Sequence, residues 1–256
     1  MRDCQSEIAE SATLKDTIES LTIELTASQR LIHLAEGILS REERDRASRF
    51  RFPELHRRYT ISHACLRVLL AGYLRRHPAS IGFCFGRSGK PSVAGASVEF
   101  NMSHSGEMAA YAFTSNASIG VDLEHVRPLP DMLSIAGRFF GREEAAELMA
   151  TVDDRRDEAF YRCWTRKESF IKALGDGLSY PLDRFRVSLA PGTPAIISID
   201  GNEDAARQWT LYDLAPAHGY IGSIAIQGVS RQLRMVPSMP AEGFLQAFFM
   251  EAEQIL

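Results

Sequence analysis

Two acidic residues on a short apolar segment are the first candidates for chemistry in this sequence. In "SIGVDLEHV" (118–126), Asp122 and Glu124 are two residues apart. On a β-strand, alternation would place both carboxylates on one face, opposite the apolar side chains. Like charges this close repel unless a cation lies between them, and paired oxygen ligands without cysteine suit Mg²⁺. Taken alone, however, the pair is better explained as the solvated face of an edge strand.

A second candidate set lies in "FYRCWTRKESFIKALGDGL" (160–178). The spacing predicts a helix that ends at Gly175 and on which Glu168 and Lys172 share a face. The predicted buried stripe of this helix comprises Phe160, Trp164, Ile171 and Leu174. The acid and the lysine could serve a metal ion and a phosphate. Taken alone, they are better explained as an exposed ion pair that contributes a few tenths of a kcal/mol.

Two turns offer groups that could bind an anion. "NMSHSG" (101–106) presents Ser103, His104 and backbone N–H groups, a combination that suits a phosphate. A core histidine with a backbone partner explains the same residues equally well. "GRSGKP" (86–91) lacks the P-loop spacing and predicts a hairpin turn that presents Lys90.

Helices and short strands must position these residues. Apolar spacing and capping signals predict helices over 40–50, 57–74 and 155–174. Another helical stretch is predicted over "LPDMLSIAGRFFGREEAAELMA" (129–150), broken near Gly141. Alternating runs predict strands in the segments 21–25, 98–115, 118–126, "FRVSL", "AIISI", "QWTLYDL" and "YIGSIAIQ".

The sequence also contains a repeat. "YTISHACLR" (59–67) aligns without gaps on "WTRKESFIK" (164–172), and "SHSGEMAAYAF" has a counterpart in "AHGYIGSIAI". The repeat predicts an α+β fold made of two similar halves related by duplication. The predicted division is a polar tail (1–18), an N-terminal half (19–116), a C-terminal half with the metal site (117–238) and a helical extension (239–256).

Composition excludes several classes of protein. The 256 residues are 45% hydrophobic and 24% charged, as in ordinary globular proteins, and the net charge of −4 provides no general attraction for nucleic acid. No apolar run approaches the roughly 20 residues that cross a bilayer, and the polar N-terminus does not resemble a signal peptide. The cysteines are widely spaced, which favours a reduced, cytoplasmic setting; they are Cys4, Cys65, Cys84 and Cys163.

Together, these motifs resemble those of 4′-phosphopantetheinyl transferases of the surfactin-synthetase-activating (Sfp) type. "IGVDLE" is similar to the G-[IV]-D-[IVL]-E motif of that family, and 160–178 matches F-Y-x-x-W-x-x-K-E-[SA]-x-x-K-x-x-G-x-G-L without a break. "GKP" and "FNMSHSG" match two upstream motifs in the same order. The resemblance covers residues 20–236. It implies a pseudo-dimer of two α+β halves with the active site at their interface, and the length of the chain suggests a monomer.

The resemblance also implies an activity. Similar enzymes use Mg²⁺ to transfer the phosphopantetheine group of coenzyme A to a serine of an apo acyl or peptidyl carrier protein, releasing 3′,5′-ADP. By motif position, Asp122, Glu124 and Glu168 would hold Mg²⁺ against the diphosphate. Glu168 would also act as the general base, and Lys172 would contact the diphosphate.

The same resemblance assigns further residues to the nucleotide. Matched positions are Lys90, Ser103 and His104 around the adenosine 3′-phosphate, Arg58 near the nucleotide and Arg46 in the preceding helix. Glu43 stands where related sequences can carry a lysine for the 3′-phosphate, which puts that contact in doubt. Lys167 lies in the motif without an assigned role.

Two other functions are compatible with these residues, and one surface is a candidate for the carrier. The chain could be a Mg²⁺ phosphohydrolase that uses Asp122 and Glu124, or a non-catalytic module that binds coenzyme A or a carrier protein. An acidic helical carrier would dock near "RFFGREEAAELM", although Phe139 and Phe140 are also candidates for the core.

Overall fold

A computed structural model describes Leu14, residues 16–175 and 180–251, and the backbone of residues 252–254. Most of the predicted tail (1–18) therefore lies outside the described residues, as do residues 176–178 at the end of the long motif. Within the described part of the chain, no helix is long and apolar enough to span a membrane.

The first half begins with a strand and three helices. These are β1 (Thr17–Glu24), α1 (Gln29–Glu36), α2 (Arg41–Ala47) and α3 (Pro53–Leu74). A 3-10 turn, a small hairpin and two long strands follow: Pro78–Ser80, β2 (Cys84–Phe85), β3 (Pro91–Ser92), β4 (Val98–Ser105) and β5 (Met108–Ser115).

The described residues of the second half repeat this order. Its strand and helices are β6 (Ile119–His125), α4 (Met132–Phe139), α5 (Arg142–Ala150) and α6 (Asp153–Leu174). A 3-10 turn (Leu182–Arg184) and a hairpin follow, formed by β7 (Phe185–Val187) and β8 (Ile196–Ile199). An additional short helix, α7 (Glu203–Ala206), precedes the long strands β9 (Trp209–Leu214) and β10 (Tyr220–Gln227). The chain continues through β11 (Gln232–Pro240) and α8 (Ala241–Gln254).

Each half contains an antiparallel sheet with the same strand arrangement. In the first sheet β5 lies between β1 and β4, and in the second β10 lies between β6 and β9. β11 adds to the first sheet because it runs parallel to β1 at its edge. The predicted α+β pseudo-dimer is confirmed.

The two longest helices set the framework of the halves. α3 and α6 each have 22 residues, and each ends at a residue in the left-handed conformation, Arg75 (φ 50°) and Gly175 (φ 78°). They begin at Pro53 and Asp153, so equivalent helix positions differ by 100 residues, not by the 105 of the sequence overlay. The overlay was wrong because a short stretch of helix contains no fixed reference point for its register.

Apolar side chains form three packed layers. α3 covers the outer face of the first sheet and α6 that of the second, each over its own buried cluster. A third cluster joins the two sheets; among its members are Ile18, Met108, Ala110, Ile119, Val121 and Ile224. Full burial of one such large side chain contributes about 1.5–3 kcal/mol, so this layer holds the halves together.

The sequence missed several elements. β1 starts at Thr17 instead of residue 21, because pairing with β5 and β11 extends it. β11 was not predicted; it contains Pro237 and most of its residues are at least partly exposed, which an edge strand tolerates. α1 and α7 are short helices that were also not predicted.

Candidate active site

Gly120 allows β6 and α6 to approach each other closely. A Cβ atom at Gly120 would lie 2.1 Å from the carbonyl oxygen of Ser169 and 2.4 Å from the backbone nitrogen of Ala173. Real Cβ atoms do not approach backbone atoms this closely, so a larger residue would push the helix away. The glycine therefore brings the next outward-facing strand residue, Asp122, against the surface of α6.

Polar side chains on alternate residues of β4 bind the neighbouring edge strand β6. The hydrogen bonds run from the Val121 backbone N–H to Asn101 Oδ1 (2.9 Å), from Ser103 Oγ to Asp122 Oδ1 (2.9 Å) and from Ser105 Oγ to Glu124 Oε2 (2.7 Å). The two strands belong to different halves. The acidic pair therefore lies on the seam between the halves, where first-half side chains orient it.

Asp122 is the centre of this site. Its carboxylate is buried, and its Oδ1 accepts hydrogen bonds from Ser103 and from Lys172 Nζ at 2.6 Å. Lys172 Nζ also donates to Ser103 Oγ at 2.9 Å. Strand β4, strand β6 and helix α6 thus each contribute one side chain to a compact polar cluster.

The other two acids lie close enough to Asp122 to feel its charge. Burial, and then the charge of Asp122, raises the pKa of Glu168, and the charge of Glu124 adds to this effect. Burial and the charge of Asp122 also raise the pKa of Glu124, against the hydrogen bond from Ser105. The structure therefore brings together the three acids that the sequence singled out, with Lys172 beside them.

The oxygen atoms of this cluster fit a hard divalent cation. Among the described residues, Asp122 Oδ2 and Glu168 Oε1 are buried side-chain oxygens without a hydrogen-bond partner. Such unpaired buried oxygens are costly unless a cation or solvent satisfies them. Within the described ranges, no group of three or more His, Cys, Asp and Glu side chains is already arranged to ligate one ion. Binding of an ion by all three acids would therefore require these side chains to rearrange.

Basic groups converge on the neighbouring His104. Burial, and then the positive charges of His63, Lys172, Arg58 and Arg46, lower the pKa of His104 to about 4. By its solvent-accessible surface, however, His104 is an exposed residue, so the nearby positive charges are a firmer cause of this lowering than burial is. Arg58 and Arg46 thus share one region with Lys172, and His63 joins them although the sequence analysis did not select it.

Arg58 is anchored on one side by an acid. Its Nε donates to Glu107 Oε1 at 2.9 Å, and Arg57 binds the same carboxylate. Hydrogen bonds from Arg57 lower the pKa of Glu107, and those from Arg58 add to this effect. The backbone N–H of Glu107 donates to the Tyr220 hydroxyl at 3.1 Å, so this turn of the first half also contacts the second.

Arg46 and Lys90 have different surroundings. Arg46 is exposed on α2, with its guanidinium 5.7 Å from the ring centre of Tyr59, and Tyr59 stacks on His63. Lys90 Nζ donates to the carbonyl oxygens of Ile119 (2.9 Å) and Ala173 (3.0 Å). Lys90 thus ties the first-half hairpin to the second half, and burial lowers its pKa.

Glu43 is part of the framework of the first half. It is buried at the third position of α2, where it forms a capping box with Ser40. Its carboxylate binds Arg67 Nε at 2.7 Å and lies 3.3 Å from His63 Nδ1. The pattern "SREE" could have revealed this role, because Ser and Glu three residues apart are typical of a capping box.

Lys167 has in the second half the position that Arg67 has in the first. Its side chain is fully buried, and its ammonium forms an ion pair with Glu144 at 2.8 Å. It also donates to the carbonyl oxygens of Leu182 (2.8 Å) and Phe185 (2.6 Å). The lysine of the motif is therefore a structural cation behind the site, while Glu168 faces the acidic cluster.

Comparison with known proteins agrees with this architecture. The family model "4′-phosphopantetheinyl transferase, N-terminal" matches residues 25–116, and the model "4′-phosphopantetheinyl transferase superfamily" matches residues 118–225.

Individual relatives extend the similarity over most of the chain. The 4′-phosphopantetheinyl transferase HetI of Nostoc sp. is 34% identical over 223 residues, which is 86% of this chain and 91% of HetI. The transferase psf-1 of Bacillus pumilus is 32% identical over an alignment that covers 75% of this chain and 81% of psf-1. The transferase Sfp of Bacillus subtilis is 37% identical over an alignment that covers 60% of this chain and 67% of Sfp. This chain belongs to the 4′-phosphopantetheinyl transferase superfamily.

Proposed function

We propose that this protein transfers the 4′-phosphopantetheine group of coenzyme A to a serine of an apo carrier protein and releases 3′,5′-ADP. The observation that carries the proposal is the pair of unpartnered buried oxygens on Asp122 and Glu168, with Lys172 beside them at the seam of the halves. Membership of the superfamily supports the same reaction.

Each acid and the lysine would have a defined role. Asp122, Glu124 and Glu168 would hold Mg²⁺, which neutralises the diphosphate and orients it for attack. Glu168 would accept the proton of the carrier serine, a role that its position beside Asp122 and Lys172 would allow. Lys172 would place its positive charge where negative charge develops on the transferred phosphate.

The basic region would hold the nucleotide. Ser103 donates a hydrogen bond to Asp122, and His104 lies within reach of the charges of Lys172, Arg58 and Arg46. Ser103, His104, Arg58 and Arg46 would bind the phosphates of coenzyme A. Lys90 belongs to this set by its motif position, but reaching a phosphate would require its ammonium to leave its two backbone carbonyls. Glu43 would not contribute to this set because its carboxylate is already used inside the fold.

The carrier would dock on helix α4. Phe139 is 37% exposed and Leu133 is 46% exposed, whereas Phe140 is buried in the core. The guanidinium of Arg138 lies 5.1 Å from the ring centre of Phe139. An exposed apolar surface with a local positive charge suits an acidic helical carrier, although the net charge of the enzyme is −4.

The setting of the reaction is part of the proposal. We propose a cytoplasmic monomer whose two halves correspond to residues 19–116 and 117–238. Support for a reducing compartment comes from the free cysteines among the described residues, Cys65, Cys84 and Cys163.

Incubation with an apo carrier, coenzyme A and Mg²⁺ tests the function directly. Intact-protein mass spectrometry should show that the carrier gains one phosphopantetheine, and the Asp122→Asn variant should lose this activity. Release of inorganic phosphate without a mass gain would indicate the phosphohydrolase instead. Binding of coenzyme A with neither product would indicate the binding module. A panel of apo acyl and peptidyl carriers would identify which carriers are accepted.

A further inference from the structure

Two consecutive buried cations precede Glu168 on α6, and only one of them has a counterpart in the first half. Lys167 binds Glu144 and two carbonyl oxygens near the 3-10 turn. At the equivalent position of α3, Arg67 binds Glu43 and the carbonyl oxygens of Pro78 and Ile81 near its own 3-10 turn. This set of contacts is present in both halves, although only the second half has the acidic cluster. The contacts therefore stabilise the fold and are not specific to the site.

Arg166 is different. The equivalent position on α3 is Leu66, a buried apolar residue. The Arg166 side chain is fully buried, and its Nε and Nη2 donate to the two carboxylate oxygens of Asp213 on β9 at 3.0 and 2.7 Å. Its Nη1 donates to the carbonyl oxygens of Ser188 and Ala190. Such a bidentate, fully used guanidinium allows little rotation of the helix that carries it.

The contacts of Arg166 lie on the flank of α6 opposite the acidic cluster. At about 100° per residue, Arg166 and Glu168 project about 200° apart around the helix. Arg166 therefore fixes α6 over β9, while Glu168 and Lys172 face β6. Rotation about the helix axis would move Glu168 relative to Asp122, and metal and catalytic sites tolerate only about 10–20° of such error.

We propose that Arg166 is a positioning residue, which orients Glu168 and Lys172 towards Asp122 through its bond to Asp213. This inference rests on the proposed function, because it concerns the same cation site. The two buried cations of the second half therefore have different roles. Lys167 stabilises the fold, and Arg166 sets the orientation of Glu168 relative to Asp122.

Metal binding by the Arg166→Met variant tests this role without relying on turnover. Mn²⁺ affinity in the presence of coenzyme A is measured from the electron paramagnetic resonance signal of free Mn²⁺. Loss of residues that orient metal ligands typically weakens metal affinity about 10–100-fold, and we expect a change in this range. The Mg²⁺ concentration for half-maximal transfer should rise in parallel. The Arg67→Met variant is the matched control and should lose stability while keeping its Mn²⁺ affinity.

Two milder variants cover the case in which Arg166→Met does not fold. Asp213→Asn keeps the shape but loses the charge and one acceptor, so we expect a smaller weakening of Mn²⁺ binding. Arg166→Lys keeps the charge and should restore part of the affinity. Unchanged Mn²⁺ affinity in folded Arg166→Met or Asp213→Asn, or an equal loss in Arg67→Met, would overturn the proposal. Failure of the wild-type protein to modify any carrier would instead count against the proposed function, since Mn²⁺ binding is measured separately.

Discussion

The two halves have the same framework but use the strand beneath the long helix differently. In the first half, Glu19 on β1 is buried, and its carboxylate binds the Tyr73 hydroxyl of α3 at 2.5 Å and Arg234 of β11 at 3.2 Å. In the second half, the strand beneath α6 carries Gly120, and Asp122 keeps one buried oxygen without a partner. The first carboxylate is satisfied by the protein, whereas the second can bind something else.

This difference separates stability from function within one architecture. The repeated features are the strand order, the 22-residue helix and the buried cation that binds a capping glutamate. The features confined to the second half are the close approach at Gly120, the acid cluster and the contact of Arg166 with Asp213. A duplicated fold can retain its packing in both copies while only one copy acquires an acidic cluster.

Glu168→Gln is expected to have the largest effect. Loss of the base should lower the turnover number for carrier modification about 10²–10⁴-fold. Coenzyme A binding, measured by isothermal titration calorimetry, should change far less. An equal loss of turnover and binding would show that Glu168 only holds the metal ion.

The first-half carboxylate provides the contrast for this test. Glu19→Gln weakens hydrogen bonds to a charged group and should cost about 1–3 kcal/mol of unfolding free energy. Turnover should nevertheless stay close to wild type at temperatures where the variant is folded. A large loss of turnover in stable Glu19→Gln would break the division between the two halves.

The buried cations of the two halves should have similar effects on stability. Lys167→Met and Arg67→Met each leave a buried glutamate without its cation, which costs about 3–5 kcal/mol. Urea unfolding of both variants measures this cost. The double variant Lys167→Met/Glu144→Leu should recover much of the stability because no unpaired charge remains. A much smaller cost for Arg67→Met than for Lys167→Met would show that the two contact sets are not equivalent.

Gly120→Ala should produce a smaller loss of stability. The added methyl group would overlap backbone atoms of Ser169 and Ala173, and overpacking of this kind costs about 1–3 kcal/mol. Relief of the overlap should also move α6 away from Asp122 and reduce turnover. Gly137→Ala on α4, where a Cβ atom would meet no atom within 4 Å, is the control and should not destabilise the protein. Wild-type stability in Gly120→Ala would contradict the close packing.

The sequence was sufficient to predict the fold class and most elements, but not the alignment of the long helix of one half on that of the other. Strongly periodic segments such as 57–74 and 155–174 were predicted as helices because their burial pattern repeats along the chain. β11 could not be found in the same way, since an edge strand with Pro237 lacks a continuous apolar face.

The site was predicted unevenly for a similar reason. Asp122, Glu124, Glu168 and Lys172 were selected by type and spacing, and the structure brings them together. Their assigned roles remain predictions. Arg166 was not selected, because its partner Asp213 is 47 residues away along the chain and only tertiary structure brings the two together. Polar pairs of this kind leave no local pattern in a single sequence.

The smallest expected effect is a difference in pH dependence between the halves. Burial and the charge of Asp122 raise the pKa of Glu168. Burial opposes ionisation of Glu43 as well, but hydrogen bonds from His63 and Ser40 and the charge of Arg67 hold the pKa of Glu43 below its ordinary value. The stability contributed by Glu168 is therefore present below the ordinary glutamate pKa and is lost as the pH rises through the raised pKa of Glu168. The stability contributed by Glu43 is present above the ordinary glutamate pKa and is lost as the pH falls through the lowered pKa of Glu43.

Unfolding free energies measured with a chelator between about pH 3 and pH 7 would reveal these opposite signs. Relative to wild type, Glu168→Gln should become more stable as the pH rises, because the variant has no buried charge to form. Glu43→Gln should become less stable over the same range, because wild-type Glu43 is ionised and paired with Arg67. Added Mg²⁺ should reduce the relative advantage of Glu168→Gln, since the ionised wild-type acids would then bind a cation. Parallel pH curves for the two variants would show that both carboxylates belong to the framework. They would contradict the conclusion that the fold satisfies the buried Glu43 but not Glu168.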